Sequence, residues 1–158
     1  MSLDIISHYS QFDYLPGTRF AYDARLDIIN YVADELKNNA GRLALLHETS
    51  HALLGHFHFS TDIELFFMEV AAWHKTAELA PKFKVTLNKR YIKNCLNSYD
   101  QWLTERATCP YCQNFCLPQS AHHYRCFGCE TEWDVTTDRD EVVSQTITKA
   151  PIAQRLGA

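Results

Sequence analysis

The sequence of this 158-residue chain predicts an α+β fold, on three observations. Two short segments with strand character, Thr18–Tyr22 and Leu26–Val32, precede a helical stretch that carries His47-Glu48-Thr49-Ser50-His51. Two further helical stretches follow it. Then come two C-x-x-C turns, Cys109-Pro110-Tyr111-Cys112 and Cys126-Phe127-Gly128-Cys129. The expected layout is a sheet with three helices over residues 1–106, a small metal-held module over 107–135, and a flexible tail over 136–158.

Composition supports an ordered core. Hydrophobic residues make up 46% of the chain and aromatics 13%, well above what a disordered chain carries. The net charge of −4 means that any contact with nucleic acid would need a local basic patch. No run of eighteen apolar residues is present, and Met1-Ser2-Leu3-Asp4-Ile5 lacks the basic start of a signal peptide, so a cytoplasmic protein without a membrane partner is expected. In that compartment six cysteines imply metal binding before disulfides.

The first sixteen residues fit neither period, and Pro16-Gly17 marks a turn. Thr18–Tyr22 and Leu26–Val32 are joined by the turn Asp23-Ala24-Arg25 and read as a β-hairpin. An exposed edge of such a hairpin can pair with an extended peptide through main-chain hydrogen bonds; otherwise it is scaffold. Asp34–Asn39 reads as a polar linker, and a helix follows from about Ala40 to Gly55.

On that helix His47 and His51 are four residues apart and lie on one face, so two imidazoles can share one Zn²⁺. Glu48 is about a third of a turn away, where it can act as general base without ligating. A catalytic zinc needs a third protein ligand. A third histidine in the spacing H-E-x-x-H-x-x-G-x-x-H is excluded, because Leu54 and Phe57 stand at the required positions. The next helix, from Ser60 to about Ala80, opens on Thr61-Asp62-Ile63-Glu64, a capping box that gives Glu64 a structural task. Glu69 shares the inward stripe of Phe66, Val70, Trp73 and Ala77, where a carboxylate is costly unless it is paired or holds a metal. Glu69 is the expected third ligand, with Glu64 in reserve. His56, His58 and His74 are assigned to support of the site, to the substrate side or to the surface.

His47-Glu48-Thr49-Ser50-His51 followed by Glu69-Val70-Ala71-Ala72 resembles the ImmA/IrrE-type metallo-endopeptidases, whose pattern is H-E-x-x-H and then E-x-x-A. The resemblance spans roughly residues 18–80. It implies a zincin-like domain with His47, His51 and Glu69 as ligands and Glu48 as general base. It also implies a protein or peptide substrate, with a transcriptional regulator among the possible targets. Trp73 stands where the family often has Asn or Asp, and the helix-turn-helix domain of some members is not evident.

A third helix is expected from Thr86 to Arg106, with Leu87, Tyr91, Ile92, Cys95, Tyr99, Trp102 and Leu103 on its apolar stripe and Cys95 as a core thiol. Cys109, Cys112, Cys126 and Cys129 have the spacing of a zinc ribbon, a closed four-thiolate site whose metal is structural. Cys116, His122 and His123 fit less well as ligands. The cofactors expected are thus one catalytic and one structural Zn²⁺. Arg125, Tyr111, Tyr124 and Trp133 could form a basic-aromatic surface for single-stranded nucleic acid or a protein; the ribbon could equally be a stabilising module. A metallopeptidase followed by a ribbon also resembles, in domain order, the SprT-like proteases of DNA-associated proteins. The leading expectation is a zinc endopeptidase, and the runner-up is a binding or regulatory module with little turnover.

Overall fold

A computed structural model describes residues 4–137 and 141–157 of the chain. They gather into two compact units. One is the chain up to His58 with Phe67–Lys93; the other is Phe59–Phe66 with the chain from Asn94 onward. The architecture is α+β, with five α-helices and two three-stranded sheets among the described residues. No helix there is long and apolar enough to cross a membrane.

In the first unit, α1 (Ile5–His8) is capped by Asp4, whose carboxylate accepts from the Ser7 amide at 3.2 Å. Strands β1 (Asp13–Pro16), β2 (Ala21–Asp23) and β3 (Ile28–Tyr31) form a sheet in the order β1-β3-β2. The expected hairpin is present, with Tyr22 opposite Ile29 in antiparallel pairing. Its strands are shorter than expected because the turn takes more residues. The Asp23 carboxylate accepts from the amides of Arg25 and Leu26, and Asp27 adopts a positive φ of 55°. Strand β1 was not foreseen; it pairs parallel to β3, and its mostly exposed residues carry no alternating apolar signal.

The stretch read as a polar linker is a 3₁₀ turn, Ala33–Lys37, seated on the start of α2 (Asn39–Leu53). Asn38 caps α2 by accepting from the Gly41 amide at 2.8 Å. Only glycine fits at position 41, since a Cβ there would stand 2.2 Å from the Glu35 carbonyl oxygen. Helix α2 is buried on most sides. Leu43, Leu45 and Leu46 are inside, and so are Thr49 and Ser50, whose hydroxyls donate back to the Leu45 and Leu46 carbonyls. Asn39 and Thr86 exchange two hydrogen bonds, fixing the loop after α3 to the first turn of α2.

Helix α3 runs from Asp62 to Leu79. The Thr61 hydroxyl accepts from the Glu64 amide at 3.4 Å, as a capping box requires. The Glu64 carboxylate reaches one residue further back than expected and accepts from the Ser60 amide. Within the first unit the buried face of α3 is Glu69, Ala72, Trp73 and Thr76. The Thr76 hydroxyl lies 3.1 Å from that of Ser50, tying α3 to α2.

Helix α4 spans Lys89–Ala107, and its buried residues are confined to its last turns: Trp102, Leu103, Arg106 and Ala107. The stripe expected along its first half is not a core face; Tyr91 is exposed and Cys95 only half-buried. The second unit is built on β4 (His123–Arg125), β5 (Glu132–Val135) and β6 (Gln145–Lys149), an antiparallel meander. Tyr124 and Trp133 are fully buried and stack at 5.5 Å. Their burial removes them from the basic-aromatic surface expected of the ribbon.

At the base of this unit lies a buried ion pair. Arg106 donates to Asp62 through Nε at 2.7 Å and Nη2 at 3.2 Å, and the Tyr124 hydroxyl donates to the same carboxylate at 2.6 Å. Arg106 also donates to the carbonyls of Ala121 and Thr136. This network explains why Phe59–Phe66 and the end of α4 group with the cysteine loops, where a boundary at residue 107 was expected. The tail is corrected too. Gln145–Lys149 pairs with β5, Gln145 donates to the carbonyls of Glu105 and Arg106 in the last turn of α4 and of Thr108 just beyond it, and Ile152–Leu156 forms α5. Residues 138–140 and 158 of the expected tail lie outside the described residues.

Replacing Arg106 by Met should cost about 3–5 kcal/mol in urea unfolding, because it strands the Asp62 carboxylate in the interior. Removing both charges, Asp62→Asn with Arg106→Met, should recover part of that loss. A single-variant cost near zero would show that the pair does not hold the unit together.

Candidate metal centres

Two clusters of ligating side chains stand out among the described residues: His47, His51 and Glu69 in the first unit, and Cys109, Cys112, Cys126 and Cys129 in the second. Either could hold a metal ion.

The first cluster joins α2 and α3. His47 Nε2 and His51 Nε2 lie 3.2 Å apart, as the four-residue helical spacing places them. Glu69 presents one carboxylate oxygen to each ring, at 3.3 Å in both cases. A tetrahedral ion with arms of about 2.0–2.1 Å has donor–donor edges of roughly 3.3–3.4 Å, so the two imidazole nitrogens, and each imidazole with one carboxylate oxygen, sit near the separations that such an ion requires. All three residues are buried, with Glu69 only 6% exposed. Burial alone would raise the Glu69 carboxyl, but hydrogen bonds with His47 and His51 outweigh it and hold the group well below the usual carboxylate range. The anion at the centre of this cluster is therefore maintained. Glu64, the reserve ligand, is exposed at the helix cap and takes no part.

The surroundings of the two imidazoles differ. The outer nitrogen of His51, Nδ1, is 2.9 Å from His56 Nδ1. Among the described residues the outer nitrogen of His47 is buried without a hydrogen-bond partner, and its ring is instead stacked on the Trp73 indole at 3.9 Å. Trp73 thus supports the ring by packing. Burial, then repulsion from His51, lowers the pKa of His56. His58 and His74 are exposed.

Glu48 projects from α2 beside this cluster but is outside the donor set. One of its carboxylate oxygens accepts from the backbone amide of Tyr22 at 2.8 Å. Strand β2 lies at an edge of its sheet, so this amide points away from β3 and orients the carboxylate.

The second cluster is made by two near-identical loops. In one, the Gln113 amide donates to Cys109 O and the Cys109 amide to Asn114 O; in the other, Glu130 donates to Cys126 O and Cys126 to Thr131 O. Gln113 and Glu130, each directly after the second cysteine of its loop, both have positive φ, 62° and 58°. The loops bring Cys109 Sγ to 3.6 Å from Cys129 Sγ, and Cys112 Sγ to 3.5 Å from Cys126 Sγ. Arms of about 2.3 Å to a central ion give edges of roughly 3.8 Å, so this cage fits as well. Burial raises the Cys126 thiol, but hydrogen bonds from the Cys129 and Gly128 amides and from neighbouring sulfurs bring it down to about 6. The Asn114 backbone lowers the Cys112 thiol; burial and the other three sulfurs override it and push the group up to about 12. A divalent cation bound among them would let all four ionise together. Cys116, considered as a substitute ligand, is buried beside the cage and donates to Asn114 O. His123 instead pairs with Asp134 on the sheet, while His122 lies 3.4 Å from Arg106.

The spacing of histidines, glutamate and cysteines was readable from the sequence; the His56 and Tyr22 contacts were not. The only sequence signal for His56 was a histidine directly after the glycine that ends α2. No family model, curated protein or solved structure matches the chain.

Metal analysis of the purified chain should find two divalent ions per molecule. Glu69→Ala should release one and leave the other; Cys129→Ser should do the reverse. A single ion that survives Cys129→Ser would leave the four-cysteine cage without a metal.

Proposed function

We propose that the chain is a zinc-dependent endopeptidase that hydrolyses a peptide bond in an intracellular protein. The observation that carries this reading is the combination of a three-donor cluster with a carboxylate beside it that does not ligate. Four donors would close a metal site; His47, His51 and Glu69 leave one position open, the arrangement of a catalytic zinc. Zinc held there would supply a Lewis acid to polarise the scissile carbonyl and to make water more acidic. Glu48, with one oxygen fixed by the Tyr22 amide, has its other oxygen to take a proton from the attacking water and deliver it to the leaving amine. A purely structural site would have no use for that group.

Substrate would bind as an extended strand along β2. In an antiparallel pair, the amide and carbonyl of one residue point to the same side. Since the Tyr22 amide is turned outward to Glu48, its carbonyl is also turned outward and can accept from a peptide N–H. Recognition would then rest on main-chain hydrogen bonds and require an unfolded segment. The resemblance to ImmA/IrrE-type enzymes supports a transcriptional regulator as one such target, cut in a linker. The four-cysteine cage has no open position and would hold a structural zinc. With Tyr124 and Trp133 buried, the ribbon keeps only Tyr111 and Arg125 of the four residues proposed for contact with nucleic acid or protein.

The test is cleavage of a denatured protein mixture by the zinc-loaded chain, mapped by mass spectrometry. Glu48→Gln should keep both metals and the fold while lowering turnover about 10²–10⁴-fold. Cleavage that persists undiminished in Glu48→Gln would remove the proposed general base. In a cleaved peptide, proline substitutions that abolish cutting at alternate positions flanking the scissile bond would support strand addition. Uniform tolerance of proline would return the hairpin to scaffold.

A further inference from the structure

Helix α2 ends in a backbone arrangement with a consequence for the metal ligands. Leu54 is its C-cap, and Gly55 follows with a φ of 64°. The Gly55 amide donates to Ala52 O at 3.1 Å, and the His56 amide donates to His51 O at 3.2 Å. These two bonds define a Schellman motif, in which the second residue after the cap is folded back over the residue three before it. In most such motifs those two side chains are apolar and simply touch. Here they are His56 and His51. The motif sets the rings edge to face, with centroids 5.0 Å apart and the two Nδ1 atoms 2.9 Å apart.

We infer that His56 is a positioning residue for the metal site: its Nδ1 accepts a hydrogen bond from His51 Nδ1–H and thereby fixes the tautomer that leaves His51 Nε2 free to ligate. This inference rests on the reading of His47, His51 and Glu69 as a metal site and is independent of what the site catalyses. The chemistry has one consistent solution. A nitrogen that coordinates must present a lone pair, so the His51 proton resides on Nδ1. That proton needs an acceptor, and the atom facing it is His56 Nδ1. His56 must then carry its own proton on Nε2. Ligating histidines usually donate their outer N–H to a carboxylate or a carbonyl. In this chain an imidazole takes that role for His51, whereas His47 is held by stacking on Trp73. Gly55 is part of the device, because a side chain at its φ is strained and a Cβ there would press to 3.2 Å from the Phe57 ring.

The test is the Zn²⁺ affinity of the first site, measured by chelator competition with the four-cysteine site loaded. His56→Ala should weaken binding by about 10–100-fold. His56→Asn, whose carboxamide oxygen takes the place of Nδ1 as acceptor, should restore most of the loss. His58→Ala, at an exposed position two residues on, should leave affinity unchanged. Long-range ¹H–¹⁵N spectra of the zinc-loaded chain should show the proton on Nδ1 in His51 and on Nε2 in His56. Equal affinity in wild type and His56→Ala would overturn the inference while leaving the metal site intact. A wild-type chain that binds no zinc at this site would overturn both. Should His56→Ala fail to fold, the wild-type tautomers decide: a proton on His51 Nε2 would refute the role.

Discussion

The burial of one carboxylate organises the first unit. Glu69 lies on α3 with almost no access to water, and an isolated ionised carboxylate in such a place costs several kcal/mol. What keeps it charged is the pair of imidazoles that α2 presents at a helical spacing of four. Their placement in turn requires α2 to be buried deeply enough to face α3. The backbone provides for this through small or back-bonded residues: Gly41 lets the 3₁₀ turn close on the helix start, and Thr49 and Ser50 satisfy their hydroxyls within the helix. Asn39 and Thr86 tie the loop that follows α3 to the first turn of α2, holding the two helices together. A helix with an ordinary polar outer face could not have been packed in this way.

The second unit solves a similar problem by other means. Asp62 and Arg106 are both fully buried, and the ion pair is acceptable inside because nearly every donor and acceptor around it is used. Tyr124 joins this pair to the sheet, and Trp133 donates from the same sheet to the Arg106 carbonyl. The four-cysteine module is therefore attached to its neighbouring helix by a polar core as well as by aromatic packing. Its two cysteine loops repeat the same hydrogen bonds and the same positive-φ residue, which makes the four sulfurs converge from two sides.

What could be read from the sequence follows from where the physical constraints are local. The helix of His47 and His51 was visible because metal ligation needs residues at fixed spacing, and the cysteine pairs for the same reason. Glu69 was separable from Glu64 because a charge on an inward stripe has to be explained, whereas a charge at a helix start does not. Asp62 escaped notice by that same logic: an aspartate in a first turn reads as a favourable end charge, although here it is buried against Arg106. Strands β1 and β6 were missed because their residues are largely exposed, and their pairing is set by partners distant in sequence. Tyr124 and Trp133 were assigned to a surface because short strands in a ribbon give no clear indication of which face is covered.

On the proposed reading, the two clusters differ as a site that only holds an ion differs from one that uses it. The cysteines surround their centre with four donors of one kind, supported by backbone amides directed at the sulfurs. The histidine–glutamate cluster has three donors, unequal support for its two rings, and an adjoining carboxylate oriented by a strand amide. Uniform support would suffice if the only task were retention. The inequality matters at an open site, where each ligand's basicity and orientation influence how the remaining position behaves. The outer nitrogen of His51 faces His56 at the end of its own helix, while the ring of His47 is backed by the face of Trp73. The surroundings of these donors therefore depend on the cap of α2 as much as on the H-E-x-x-H spacing, and a change at Gly55 would reach them without touching His47, His51 or Glu69.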